Sequence, residues 1–209
     1  MTEARWQRRS GERPRELCAA ALDVFAEKGF AAAKVDEIAD RAGVSKGTLY
    51  LYFDGKADLF RAVVQSAVSP NLEAIQAAAA EADAPFATLY PTLLERFAEM
   101  TERVPVGAVA KMVIGESRNF PELAKVWHDE VVDKGFAAMT ALVERAQRRG
   151  EVEPGEARLY VFSMMAPLLM GVLWREILQP AGGAPIDMQD LARQHSRALL
   201  CGILSEGRP

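Results

Sequence analysis

Cysteine is almost absent from this chain of 209 residues: Cys18 and Cys201 lie far apart and fit no metal-ligand spacing. That argues against a disulfide-stapled fold and against a zinc site, and leaves two free thiols suited to a reducing cytosol. Basic charge does not prevail, because 25 Lys+Arg stand against 29 Asp+Glu, a net of −4; a surface coated in positive charge is excluded, although a local basic site is not. The polar, Arg-rich N-terminus does not read as a secretory signal. The longest apolar stretch, Val161 to Trp174, is interrupted by Ser163 and falls short of the roughly 20 residues that span a bilayer. It reads as a buried core helix of a cytoplasmic protein with no membrane partner. Alternating strand patterns and internal repeats are lacking. So are a nucleophile with a base at motif spacing, a phosphate-binding glycine loop and a metal-binding cluster, so the expectation is no enzyme, no metal and no cofactor.

Half of the residues are hydrophobic, enough for a well-buried core. Charge divides unevenly: residues 1–56 hold 10 Lys+Arg against 9 Asp+Glu, and the remainder 15 against 20. Arg5, Arg8, Arg9, Arg13 and Arg15 crowd the first fifteen positions, so the front of the chain is the side suited to a polyanion. Apolar residues recur at helical spacing throughout. Leu17, Ala21, Val24 and Phe25 share one stripe that Gly29 closes; Val35, Ile38, Ala39 and Ala42 form a short second one closed by Gly43. Ser45 is an N-cap candidate for a third short helix carrying Leu49 and Phe53. A long helix is expected from Lys56 to the break at 83–85, others over 86–104 and around Val109–Val113, then a long amphipathic one from Pro121 to Gly150. Residues 156–178 read as a helix apolar nearly all round, kinked at Pro167, and the last helix presents Met188, Leu191, His195, Leu199 and Ile203 on one face. The sum is an all-α architecture of about nine helices, with a small three-helix domain at 1–55 behind a basic arm and a larger body at 56–209.

Two short helices joined by Ala42-Gly43-Val44-Ser45 form a helix-turn-helix pattern, in which the start of the second helix enters the DNA major groove. The run from Gly43 through Leu59, GVSKGTLYLYFDGKADL, with Ala20-Ala21, Phe25, Gly29-Phe30, Val35, Ile38-Ala39 and Ala42 before it, resembles the signature of the tetracycline-repressor (TetR) family over about residues 13–62. The residues themselves agree. With Leu49 and Phe53 turned to the core, Lys46, Gly47, Thr48, Tyr50 and Tyr52 are left toward double-stranded DNA. Ser45 offers a hydroxyl and a helix N-terminus to a phosphate. Lys46 reaches a guanine edge or a phosphate, Gly47 lets the backbone approach the bases, and Thr48 hydrogen-bonds or meets a thymine methyl. Tyr50 and Tyr52 resemble the family's phosphate and groove-edge positions, and Lys56 is expected to hold a phosphate. Lys34 departs from the family, which often has a threonine there; it would act electrostatically.

The resemblance implies a homodimer whose last two long helices pair with their copies, reading a pseudo-palindromic operator, with repression relieved by a small-molecule effector. The apolar excess from Phe162 to Leu173 supports the pairing independently. A largely apolar effector pocket in the body is expected, with Phe97, Met100, Met112, Trp127, Met139 and Met165 as candidate lining. Trp127-His128-Asp129-Glu130 reads as a solvated face, since consecutive helical residues diverge, and His195 as a hydrogen-bonded core or interface histidine. Two rivals remain at this stage: a small helical enzyme with a hydrophobic substrate, which would show turnover without DNA binding, and a DNA-binding protein that answers to no effector.

Overall fold

The apolar stripes become helices in the computed structural model of the chain, which describes residues 3–81 and 83–204, with 3–12, 72, 79 and 81 by backbone alone. In order these are α1 (Glu3–Ala32), α2 (Val35–Arg41), α3 (Lys46–Tyr50), α4 (Lys56–Ala67), α5 (Ser69–Glu81), α6 (Phe86–Arg103), α7 (Val106–Glu116), α8 (Pro121–Trp127), α9 (Asp133–Arg148), α10 (Ala157–Leu173) and α11 (Met188–Ile203). A π turn, His128–Val132, carries α8 into α9, and a second, Trp174–Leu178, extends α10. The long helix expected from Lys56 is divided at Val68, and the one from Pro121 passes through the first π turn. Taking each of those pairs as one helix gives the nine expected. Among the described residues no strand forms; a single isolated bridge joins Val152 and Leu204.

The chain folds into two compact units. The first comprises Met1–Pro70 with Ala108–Glu130, the second Asn71–Gly107 with Val131–Pro209. The expected boundary after residue 55 therefore falls inside the first unit. The reason is burial: Leu59, Phe60, Val63 and Val64 of α4 are all enclosed, and α4 packs along α1 and α8. The centre of this unit is aromatic, with Phe25, Phe30 and Phe60 each 5.5–6.1 Å from the others between ring centroids. Such pairs prefer edge-on and offset arrangements, and each adds about 0.5–1.5 kcal/mol to the area it buries.

The second unit is built by α5, α6, α9, α10 and α11. Its core joins Leu89, Tyr90 and Leu93 of α6, Leu142 and Val143 of α9, Val161, Met164, Leu168 and Val172 of α10, and Ala192 and Ile203 of α11. The buried Tyr90 hydroxyl donates to the Met164 carbonyl (3.2 Å), and burial pushes its pKa up. His195 Nε2 lies 3.1 Å from the same carbonyl, so this histidine is hydrogen-bonded, as expected. Gly171 lets α11 come close: a Cβ there would stand 2.6 Å from Leu191 Cδ2.

One expectation is corrected. Helix α10 with its π turn is 22 residues long and is not a buried core helix; by length and composition alone it could cross a membrane, and 28% of its most apolar stretch is buried. Val161, Met164, Leu168 and Val172 face inward at helical spacing, while Leu159, Phe162, Leu169 and Met170 on the other side are 47–61% exposed. A helix apolar all round needs cover on more than one side, and the rest of this chain supplies one. In the Trp127–Glu130 segment His128 and Asp129 are exposed while Trp127 and Glu130 are half-buried: Asp129 accepts from Lys125 (2.7 Å) and stands 3.0 Å from His128 Nδ1, and Gln65 donates to Glu130 (2.9 Å).

Candidate nucleic-acid interface

Helix α3 has only five residues, too few to be stable alone. Three features hold it. Leu49, fully buried, and Phe53, four residues on, anchor one side. Ser45 caps it, its hydroxyl accepting from the Thr48 N–H (3.1 Å). Gly43, at φ 67°, makes the sharp turn from α2 in the left-handed region that glycine enters without strain. Helix α2 is in turn fastened to α1 by a two-pronged ion pair from Arg41 to Glu27 (2.6 and 2.8 Å).

The side away from Leu49 is open. Lys46 and Gly47 are exposed on the first turn of α3, Thr48 is half-buried, and Tyr50 and Tyr52 are 47% and 37% exposed. Lys46 pairs with Asp36 of α2 (2.8 Å), and Lys34, also exposed, is the N-cap residue of α2 two positions before Asp36. The starts of α2 and α3 thus lie together, and the first N–H groups of a helix have no partner within it. Leu51, between the tyrosines, is 82% exposed. Sequence reasoning passed over it, although its place two residues after the buried Leu49 already takes it off the core side.

Two expected contacts change character. The Ser45 hydroxyl serves its own helix, as acceptor from Thr48 N–H and as partner of the Thr48 hydroxyl (2.9 Å), so a phosphate at this point would meet backbone N–H groups. The Lys56 ammonium is turned inward. It donates to the carbonyls of Phe30, Ala31 and Ala33 and lies 4.5 Å from the centre of the Phe30 ring. Burial lowers its pKa, and the nearby Glu116 carboxylate works the other way. What Lys56 can offer a phosphate is therefore the N–H at the start of α4. In the N-terminal arm Arg13 pairs with Glu16 (3.1 Å); the side chains of Arg5, Arg8 and Arg9 lie outside the described residues.

Gly47 gives a direct test of this face. A Cβ there would meet only the Ser45 hydroxyl oxygen at 3.8 Å, an ordinary contact, so the free protein does not need glycine. Gly47→Ala is expected to leave the melting temperature unchanged or raise it, since alanine gains up to about 1 kcal/mol over glycine in a helix, while weakening specific duplex binding several-fold. Thermal melts beside binding titrations check it; a loss in both would place the need for glycine inside the protein.

The six candidates for an effector pocket are divided between the two units. Met112 and Trp127 belong to the first unit, and Phe97, Met100, Met139 and Met165 to the second. Met112 borders a crevice with Phe25, Phe60 and Val63 that is too narrow for a water molecule. Met139 is buried in the core of the second unit, with Phe97 and Met165 packed against it. Helical spacing put each on an apolar stripe, but stripe membership does not say which stripes face one another.

Known proteins share both the sequence and the architecture. Residues 17–63 match the bacterial regulatory proteins of the tetR family, and residues 91–194 match the tetracyclin repressor-like C-terminal domain. The transcriptional activator FasR of Mycolicibacterium smegmatis is 46% identical over 67 residues, which cover 32% of this chain and 31% of that relative's length. The transcriptional regulator UidR of Escherichia coli K12 is 26% identical over 197 residues, 89% of this chain and 90% of that one. The crystal structure of the transcriptional regulator FadR from Bacillus subtilis, in complex with stearoyl-CoA, superposes with a TM-score of 0.74 at 19% identity, covering 90% of this chain and 98% of that one.

Proposed function

The chain belongs to the tetR family of bacterial regulatory proteins, and on that premise we propose that it is a sequence-specific, DNA-binding transcriptional regulator: a repressor that leaves a pseudo-palindromic operator when a small, largely apolar effector binds. The observation that carries the reading is the first turn of α3, open and polar on a buried Leu49–Phe53 footing. Lys46, Gly47 and Thr48 are the base-reading candidates, with Lys34, Tyr50, Tyr52 and the N-termini of α3 and α4 on the flanking phosphates. The operator is double-stranded and two-fold because the protein is a homodimer, the exposed side of α10 being covered by a second copy.

Support for an apolar effector comes from the methionine- and aromatic-rich interior of the second unit, where Met139, Met164 and Met165 lie in or against the core; methionines repack around irregular shapes. The stearoyl-CoA bound by FadR in its crystal structure is a ligand of that chemistry. An effector acts only through a difference in its affinity for the DNA-competent and DNA-released states.

Such a regulator works in the cytoplasm, without catalysis. DNase protection of the region flanking its own gene by the purified full-length chain is expected to show one pseudo-palindrome whose half-sites are about one helical turn, or a multiple, apart. Protection no stronger there than on random duplex would refute the reading.

A further inference from the structure

We propose that Glu116 is a positioning residue for the helix-turn-helix: from the last position of α7 it holds the turn on which α2 and α3 depend. The proposal rests on the DNA-reading role given above. Helix α1 kinks at Gly29, which has φ 76°, and the single turn after the kink, Phe30–Ala33, leads into α2. Both N–H groups at the head of this turn are taken by one carboxylate. Phe30 N–H donates to Glu116 Oε1 (2.7 Å) and Ala31 N–H to Oε2 (2.5 Å).

The carbonyls of the same turn are taken by one cation. Lys56 donates to Phe30, Ala31 and Ala33, the last two at 3.2 Å. Phe120 closes the cluster, its ring edge-on to Phe30 at 5.1 Å. A single turn is therefore held by an anion on its donors and a cation on its acceptors, from positions 86 and 26 residues away. Hydrogen bonds to an ionised group are about twice as strong as neutral ones, and two on one planar carboxylate fix direction as well as distance.

The position of the clamp gives it a consequence for reading DNA. Residues 34–55, which contain α2 and α3, leave this turn at Ala33 and return at Lys56, and Lys56 binds the Ala33 carbonyl. The segment is a loop closed on itself, and Glu116 fixes the closing point to α7. Water or a neighbouring Ser or Asp suffices to satisfy two N–H groups at a helix end, so a side chain reaching across the fold does more than cap. Gly29 serves the same end twice, by its conformation and because a Cβ would collide with Glu116 Oε1.

The test compares wild type with Glu116→Gln and the harsher Glu116→Ala, using an operator duplex that wild type selects from a random-sequence pool. For Glu116→Gln the operator Kd is expected to rise about tenfold, with random-duplex Kd within about twofold and the melting temperature nearly unchanged, because misplacement penalises two half-sites at once while non-specific attraction is indifferent to it. Amide exchange at Phe30 and Ala31 should accelerate in the free protein. Unchanged operator affinity, an equal loss on both duplexes, or a loss that tracks a lowered melting temperature overturns the proposal. If wild type selects no duplex, the DNA-reading role fails instead. Amide exchange then still decides the clamp: acceleration in Glu116→Gln supports it and unaltered exchange overturns it, and should Glu116→Ala fail to fold, the glutamine variant carries the comparison.

Discussion

Met170→Arg is expected to produce folded monomers at micromolar concentration and to abolish operator binding in the nanomolar range. Met170 is 59% exposed on α10, beside Leu169 and on the same helix as Leu159 and Phe162. The core of its own subunit rests on the opposite side, on Val161, Met164, Leu168 and Val172. An arginine at this position is solvated in the monomer and costs the fold little. In a dimer it would be buried without a partner, and an uncompensated buried ion costs several kcal/mol, about a hundredfold or more in the dimer constant. Operator affinity is expected to fall with it, since a lone chain would bring one recognition helix to an operator of two half-sites. Sedimentation velocity with circular dichroism checks both halves of the claim. A wild-type protein that sediments as a monomer, or a variant that still dimerises, would show that something else covers α10.

The second large effect is at the recognition helix. Lys46→Ala and Thr48→Ala should each weaken operator binding by about tenfold to a hundredfold, the range of one lost base contact, with Lys46 the larger of the two. Lys46 neutralises Asp36 at 2.8 Å. Its removal leaves that carboxylate bare at the start of α2, where phosphates are expected, so repulsion adds to the lost contact. The double variant Lys46→Ala/Asp36→Ala should accordingly recover part of the loss, on random duplex as well as operator. Thr48→Ala also removes the hydroxyl that meets Ser45 at 2.9 Å but leaves the capping N–H in place, so its melting temperature should move little. Titrations of fluorescent duplexes at two salt concentrations separate these contributions, since phosphate contacts steepen the salt dependence and base contacts do not. Binding by all variants at the wild-type level would refute the assignment.

The all-α class, the helix-turn-helix and its punctuation were legible without coordinates. Gly29 and Gly43 stand at positive φ where the apolar stripes of α1 and α2 run out, and Ser45 caps α3 through its own hydroxyl. All of these are local: a cap, a glycine turn and a 3.6-residue period act over a few positions, and residues that near to one another determine them. The open side of α3 was legible for the same reason, since two anchors four residues apart settle which side is left.

What could not be read were the partners of residues distant in sequence. Lys56 follows the recognition helix and is charged, which favours a phosphate; three carbonyls 23–26 residues earlier claim its ammonium instead. Glu116 carried no local signal at all, because the groups it binds lie 85 and 86 residues away. The inclusion of residues 108–130 in the first unit and the division of the six pocket candidates have the same origin. Periodicity shows that a helix has an apolar face. Which helix covers that face, and whether a second chain must, depends on how whole helices stack, and stacking is governed by shape and buried area summed over elements that the chain brings together only when it folds.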